Sequence, residues 1–222
     1  MAGVEYEQLP TGEGRRRWRS VALAAALVLV AGAGVTGFWW KPWQSVGLPA
    51  SACWGELGPG DYRVLAGADG VAKASDRGSI DGPVTSGVLL SSCRLVWNDA
   101  QRSNMLSVAV SSADESDGTE DPRLLGSALQ VVDFGPDARG WIAQGTGPLA
   151  MQFACTYPSG AVKASPYVRV VVSSGDLGTA STARVRAAYA GIALKVAKAV
   201  VSRLPCGNPV RLPDRPGLLP PG

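Results

Sequence analysis

The residues of this sequence whose chemistry is easiest to interpret are its four cysteines, which could form disulfide bonds or bind a metal. They are Cys53, Cys93, Cys155 and Cys206. An even number of well-separated cysteines in an oxidising compartment is typical of disulfide bonds, and four cysteines allow three pairings. A zinc site fits poorly, because no two cysteines are close in sequence and the chain has no histidine. We favour the pairs Cys53–Cys93 and Cys155–Cys206, each of which would join a helix end to its own hairpin.

The absence of histidine also narrows the enzymatic chemistry. Ser-His-Asp and Cys-His arrangements are excluded, and the Ser-x-x-Lys, Gly-x-Ser-x-Gly and P-loop patterns do not occur. Asp133 and Asp137 could in principle act as an acid–base pair, although carboxylates at such spacing are usually loop residues. An envelope enzyme that uses carboxylates is therefore the alternative function, and no cofactor or metal ligand is predicted.

The C-terminal part of the sequence predicts a basic helix surface. Between Leu177 and Arg203 there are five cations and no acid. Arg184, Lys195 and Lys198 would lie within about 60° of one another around a helix. This surface could bind lipid head groups, an anionic envelope polymer or an acidic protein, whereas the net charge of +3 is too small to indicate nucleic acid. The alternative is an ordinary solvated face, with late cations favoured by the helix dipole.

The elements that would position these residues indicate an α+β domain. Alternating or β-branched runs predict strands at 87–97, 105–111, 131–134, 140–144, 149–157 and 167–174, with a weak strand at 71–74. A helix is predicted from Ser181 or Thr182 to about Arg203, because apolar residues recur there at spacings of three and four. Those apolar residues are Val185, Tyr189, Ile192, Val196 and Val200.

Two segments, 92–114 and 154–176, match at a constant offset of 62 residues, at which Cys93 corresponds to Cys155. In both, a strand that contains a cysteine is followed by a Val-rich strand and a Ser-Ser turn. Chance similarity between two Val- and Ser-rich hairpins is the alternative. A true repeat would give two related α+β halves that share one antiparallel sheet.

An uncharged run from Ser20 to Trp40 precedes this domain. As a helix it would be about 31 Å long, close to the hydrocarbon thickness of a bilayer. Four arginines stand before the run and Lys41 directly follows it, so the positive-inside rule places residues 1–19 in the cytoplasm and the main domain outside. The arginines are Arg15, Arg16, Arg17 and Arg19. A cleaved signal peptide is the alternative.

The sequence thus predicts a single-pass cell-membrane protein of class α+β: one transmembrane helix, then an extracytoplasmic antiparallel sheet with a long C-terminal helix, arranged as two related halves if the repeat is real. Five segments are expected. They are a cytoplasmic tail (1–19), a transmembrane helix (20–40), a linker (41–52), a disulfide-linked extracytoplasmic domain (53–206) and a disordered proline-rich tail (207–222).

This layout resembles a group of actinobacterial envelope proteins of unknown function, lipoprotein-like or singly anchored. The resemblance rests on a cysteine soon after the apolar run, the segment Cys93-Arg94-Leu95-Val96-Trp97 and a late Ala-rich helix, and it covers about residues 50–206. It implies an α+β domain with no known activity. We predict a membrane-anchored, non-enzymatic binding or protein-interaction module of the cell envelope; the carboxylate enzyme and a small signalling partner are the alternatives.

Overall fold

A computed structural model of the chain describes residues 47–66, 70–81, 89–98, 103–113, 129–156, 166–175 and 180–217. These residues form seven β-strands, two α-helices and one 3₁₀ turn. The strands are β1 (Val71–Arg77), β2 (Leu90–Asn98), β3 (Ser103–Ala113), β4 (Leu129–Asp133), β5 (Ala138–Ala143), β6 (Leu149–Ala154) and β7 (Tyr167–Ser174). The helices are α1 (Pro59–Tyr62), which continues into the 3₁₀ turn Arg63–Leu65, and α2 (Thr182–Arg203).

All seven strands belong to one antiparallel sheet with the order β1-β2-β3-β7-β6-β5-β4. Hairpins join β2 to β3, β4 to β5 and β5 to β6, while β3 and β7 pair at the centre although they are distant in sequence. Both central strands alternate buried valines with partly exposed residues, as expected of strands with one face on a core. The sheet therefore has one strongly apolar face.

Helix α2 covers that apolar face. Its five apolar positions at spacings of three and four are all buried, and they contact β6 and β7. Burying five such side chains is worth on the order of 10 kcal/mol. Gly140 of β5 is required on the same face, because a Cβ there would lie 2.3 Å from the Phe134 ring.

The predicted architecture of a transmembrane helix in front of an extracytoplasmic α+β domain is corrected by this structure. The folded part is a single seven-stranded antiparallel sheet with a C-terminal helix, and no helix in the described ranges is long and apolar enough to cross a membrane. The run 20–40 and the four arginines before it lie outside the described residues.

The internal repeat does not extend to two equivalent halves. Ala109 of β3 pairs directly with Val171 of β7, and these two residues are 62 positions apart, so the central strands are related by a local two-fold axis. The neighbouring strands β2 and β6 do not follow this two-fold axis. Cys93 lies inside β2 opposite Val108, whereas Cys155 lies beyond the end of β6, where its N–H bonds the Pro166 carbonyl. The similarity is therefore confined to the central pair.

The structure contains two disulfides, Cys53–Cys93 and Cys155–Cys206, with Cα–Cα distances of 5.1 and 4.9 Å. This confirms the expected disulfide bonding, in the favoured pairing. The first disulfide attaches the turn before α1 to β2. In that turn Cys53 and Trp54 both have positive φ, and the backbone N–H of Trp54 donates to Asp76 of β1. The second disulfide attaches the end of α2 to the end of β6.

Residues 207–217, where the sequence predicts a disordered tail, are held by backbone hydrogen bonds. The N–H of Gly207 donates to the Thr156 carbonyl, the N–H of Arg211 to the Asp137 carboxylate, and the N–H of Gly217 to the Asp133 carbonyl. The chain after α2 thus returns along the β4–β5 end of the sheet.

Replacing both cysteines of either disulfide by alanine should lower the free energy of unfolding by about 3–4 kcal/mol. The two losses should be similar, because the closed loops span 40 and 51 residues. Urea denaturation of the two double variants measures this. Wild-type protein reduced before denaturation serves as the control and should lose more than either variant; a loss below about 1 kcal/mol for both variants would contradict the clamping role.

Candidate functional site

The basic surface predicted on α2 is largely engaged within the protein. The ammonium of Lys195 lies 2.7 Å from the Asp61 carboxylate, and that of Lys198 lies 3.2 Å from Asp214. Arg184 is exposed and lines a shallow groove between α1 and α2, together with Asp61. The three predicted residues therefore lie along one helix, but two of them already contact carboxylates.

The end of α2 is also fixed by ion pairs. Arg203 contacts both Glu56 and Asp81, the latter at 3.1 Å. The Ser79 hydroxyl donates to the Asp81 carboxylate, and this hydrogen bond, with the nearby Arg203, lowers the pKa of Asp81 below its ordinary value. Arg203 at this end of α2 thus holds the turn before α1 and the loop after β1 against the helix.

The two carboxylates considered for catalysis bind backbone groups. The Asp133 carboxylate accepts from the N–H of Gly135 at 2.8 Å, and the Asp137 carboxylate accepts from the N–H of Arg211 at 2.8 Å. Burial raises the pKa of Tyr62 and of Tyr189 above the ordinary tyrosine value. None of the shifts described here, including that of Asp81, produces a group that titrates near neutral pH.

One group of potential metal ligands occurs among the described residues: Cys53, Asp76 and Cys93. Both sulfurs are in the disulfide, and the Asp76 carboxylate accepts from the Trp54 N–H. Metal-binding cysteine is the thiolate, so the oxidised pair offers no such ligand. The arrangement is structural: it joins the turn before α1 to β1 and β2.

The face of the sheet opposite to α2, called the outer face here, carries a different set of residues. On β2, Cys93, Leu95 and Trp97 are buried on the helix side, so Arg94 and Val96 between them point outward. No helix in the described ranges covers this face. Its exposed residues lie on β1 to β3 and also at the opposite edge of the sheet, where Val131, Asp133 and Arg139 of β4 and β5 are exposed, whereas Gln152 on β6 and Ala113 at the end of β3 are buried.

Three cations cluster on the β1–β3 part of the outer face. Arg94 of β2 lies opposite Ser75 of β1, and the diagonal neighbours of Arg94 across the strand pair are Lys73 and Arg77. Diagonal neighbours lie about 7–8 Å apart, so the three side chains surround one serine. All three cations are exposed. Like charges this close repel one another, so the arrangement favours any anion that can contact all three.

Exposed apolar side chains border the cluster. Val71 is 67% exposed, Leu90 is 65% exposed and Met105 is 37% exposed. Leu90 is a diagonal neighbour of Arg77, and Met105 lies opposite Val96, which itself lies opposite Lys73. We call the six residues Val71, Lys73, Arg77, Leu90, Arg94 and Met105 the outer patch.

The carboxylates of the described residues are occupied elsewhere. Four contact cations of α2, and Asp76, Asp133 and Asp137 accept hydrogen bonds from backbone N–H groups. The four acids that contact cations of α2 are Glu56, Asp61, Asp81 and Asp214. Within the ranges that the structure describes, the outer patch therefore has cations but no carboxylate.

The sequence analysis missed the outer patch, although one signal for it is present. From Val71 to Arg77 the residues at every second position are Val71, Lys73, Ser75 and Arg77, which is the pattern of one strand face. Treating only 71–74 as a weak strand left Arg77 out. The third cation, Arg94, joins them only through the pairing of β1 with β2, which the sequence does not specify.

One buried cation stands apart from both surfaces. Arg186 of α2 is only 1% exposed, and its Nη2 donates to the side-chain oxygen of Gln130 on β4. Its Nε and Nη1 have no hydrogen-bond partner. No carboxylate of the described ranges pairs with it. Burial of a guanidinium group with only a neutral hydrogen-bond partner is costly to the folded state.

Replacing Arg186 by methionine should raise the free energy of unfolding by about 1–3 kcal/mol, because an apolar side chain of similar length removes a buried charge that has only a neutral partner. Thermal or urea denaturation measures the change. Arg184→Met is the matched control: it removes an exposed cation from the same helix and should change stability by less than about 0.5 kcal/mol. A loss of more than about 1 kcal/mol in Arg186→Met would contradict this, because the contacts of the guanidinium, including that to Gln130, would then outweigh the cost of burying its charge.

No protein-family model matches this chain, and no curated protein or solved structure has a significant match to it.

Proposed function

We propose that this domain is a non-enzymatic binding module outside the cytoplasm, and that its outer patch holds an anionic partner. The observation that carries the proposal is the distribution of charge over the sheet. Three cations of α2, Lys195, Lys198 and Arg203, contact carboxylates from other segments. By contrast, Lys73, Arg77 and Arg94 are exposed together on β1 and β2, and none of the described carboxylates contacts them.

The geometry of the patch supports binding rather than chemistry. The three cations stand on two hydrogen-bonded strands, so their backbone positions are fixed before any partner arrives. A rigid set of like charges attracts an anion more strongly than a single cation does. The attraction should weaken as salt is raised, because exposed charges are screened over about 10 Å at 0.1 M ionic strength.

The extracytoplasmic location is part of the proposal, and the two disulfides support it. Structural disulfides persist in oxidising compartments and are rare in the cytosol. The described cysteines are all paired: one bond joins the turn before α1 to β2, and the other joins the end of α2 to the end of β6. The membrane attachment expected of residues 20–40 remains a prediction from the sequence.

Alkylation of cysteines in intact cells tests the location. Without a reductant, a thiol-reactive maleimide should label none of the four cysteines, because all four sulfurs are in disulfides. After reduction and denaturation it should label all four. Labelling of the cysteines without reduction, in protein that is otherwise folded, would contradict an oxidising location.

Binding of the full chain to dextran sulfate, a general polyanion, tests the surface. The triple variant Lys73→Gln, Arg77→Gln, Arg94→Gln should bind at least about 10-fold more weakly than the wild type at physiological ionic strength, because it removes three clustered charges. Affinity measured at rising ionic strength should fall for the wild type and change little for the variant.

A matched triple variant, Arg184→Gln, Lys195→Gln, Lys198→Gln, removes the same charge from α2 and tests the surface predicted from the sequence. It should keep wild-type affinity within about 2-fold, because the net charge alone contributes little at physiological ionic strength. If both variants lost affinity for dextran sulfate equally, the binding would depend only on net charge. If only the α2 variant lost affinity, the binding site would lie on the helix and not on the outer patch. Circular dichroism and intact disulfides establish that each variant is folded.

A further inference from the structure

We propose that the anionic partner of the outer patch is a lipid bilayer, on whose surface the β1–β3 part of the sheet lies with its outer face toward the head groups. The proposal rests on the proposed function, because it names the partner of the same patch. It goes further by giving a role to Val71, Leu90 and Met105, the apolar side chains that a water-soluble anion would not contact.

The cations and the apolar side chains share one flat strip. From Val71 to Arg77 strand β1 extends about 20 Å at the usual rise per residue. Val71 lies at one end of this strip, and Leu90 lies beside Arg77 at the other. Met105 lies two strands away from Lys73. The charged cluster therefore has an exposed aliphatic side chain on each side.

A bilayer surface is the partner that uses both kinds of side chain. Anionic head groups attract lysine and arginine, and aliphatic side chains that reach below the head groups leave water. The long stems of Lys73, Arg77 and Arg94 can lie against acyl chains while their charged ends stay at phosphate level. Three cations near an anionic leaflet strengthen binding on the order of 100-fold.

A soluble acidic polymer or an acidic protein loop would need only the cations. Such a partner would leave two aliphatic side chains exposed to about two thirds in the complex, Val71 at 67% and Leu90 at 65%. Scattered apolar residues are normal on protein surfaces, but here they flank a cationic cluster on a single face. The exposed apolar side chains therefore favour a bilayer over the other anionic partners.

Hydroxyl-radical footprinting of the full chain, with side-chain oxidation read by mass spectrometry, tests this proposal. The chain is mixed with phosphatidylcholine vesicles, with vesicles that also contain phosphatidylglycerol, or with dextran sulfate. Anionic vesicles should lower the oxidation of Leu90 and Met105 several-fold, and neutral vesicles should not. Trp54 and Leu212, which are partly buried against the core and do not belong to the outer patch, serve as internal controls and should not change.

Two variants separate the contributions of charge and apolar contact. Lys73→Gln, Arg77→Gln, Arg94→Gln should lose the protection by anionic vesicles and the binding to dextran sulfate together. Val71→Ser, Leu90→Ser should keep dextran sulfate affinity within about 2-fold but bind anionic vesicles at least about 10-fold more weakly, since two apolar side chains no longer leave water.

The possible results distinguish this inference from the proposed function. If dextran sulfate binds through the three cations while anionic vesicles leave Leu90 and Met105 unprotected, the bilayer is overturned and a soluble polymer or acidic protein takes its place. If neither probe binds through the patch, the proposed function fails as well. Equal protection by neutral and anionic vesicles would also overturn the proposal, because the cations would then have no part.

Discussion

The burial of the apolar stripe of α2 on one face of the sheet is the interaction on which the rest of the structure depends. It determines which side of every strand is interior, because side chains alternate along a strand. The Cys155–Cys206 disulfide fixes the end of the helix to the end of β6, so the helix cannot slide along the sheet without breaking that register. The outer face follows from this choice: whatever each strand does not bury against α2 is presented on the opposite side.

The charged residues also differ between the helix side of the sheet and the outer face. Lys195, Lys198 and Arg203 contact carboxylates that come from four separate segments, so the cations of α2 attach those segments to the helix. Exposed ion pairs of this kind each contribute little to stability, but together they fix the position of the chain around the helix. The outer patch has the opposite arrangement, with three cations on two strands and no described carboxylate in contact with them.

Periodicity carried most of the correct predictions. The β-branched run 167–174 coincides with β7, and the spacing of Val185, Tyr189 and Ile192 is that of a helix with one buried stripe, as α2 has. The disulfide pairing followed from local reasoning about helix ends and hairpins. The function of the α2 cations could not be obtained in this way, because Lys195 contacts Asp61, which is 134 residues away in sequence.

The prediction of two related halves was wrong for a related reason. Matching residues at an offset of 62 detects similar strands, but register is fixed by turns and by neighbouring strands. Thus Ala109 and Val171 pair as a symmetric centre, while Cys93 and Cys155 take different places in their hairpins. The outer patch depends on the same kind of information. Its three cations share a face only through the register of β1 with β2, with Arg94 opposite Ser75.

Protection of a sheet edge is the simplest other explanation for cations on β1, because edge strands commonly carry lysine or arginine against pairing with other chains. It accounts for Lys73 and Arg77, which lie on an edge strand, but not for Arg94, which lies on β2 between two paired strands. Part of the β1 edge is already covered, since Gly47 bridges to Val71. Exposed Val71 and Leu90 would favour association rather than prevent it. Edge protection therefore explains two of the three charges and neither of these apolar side chains, whereas the proposed membrane surface would contact all of them.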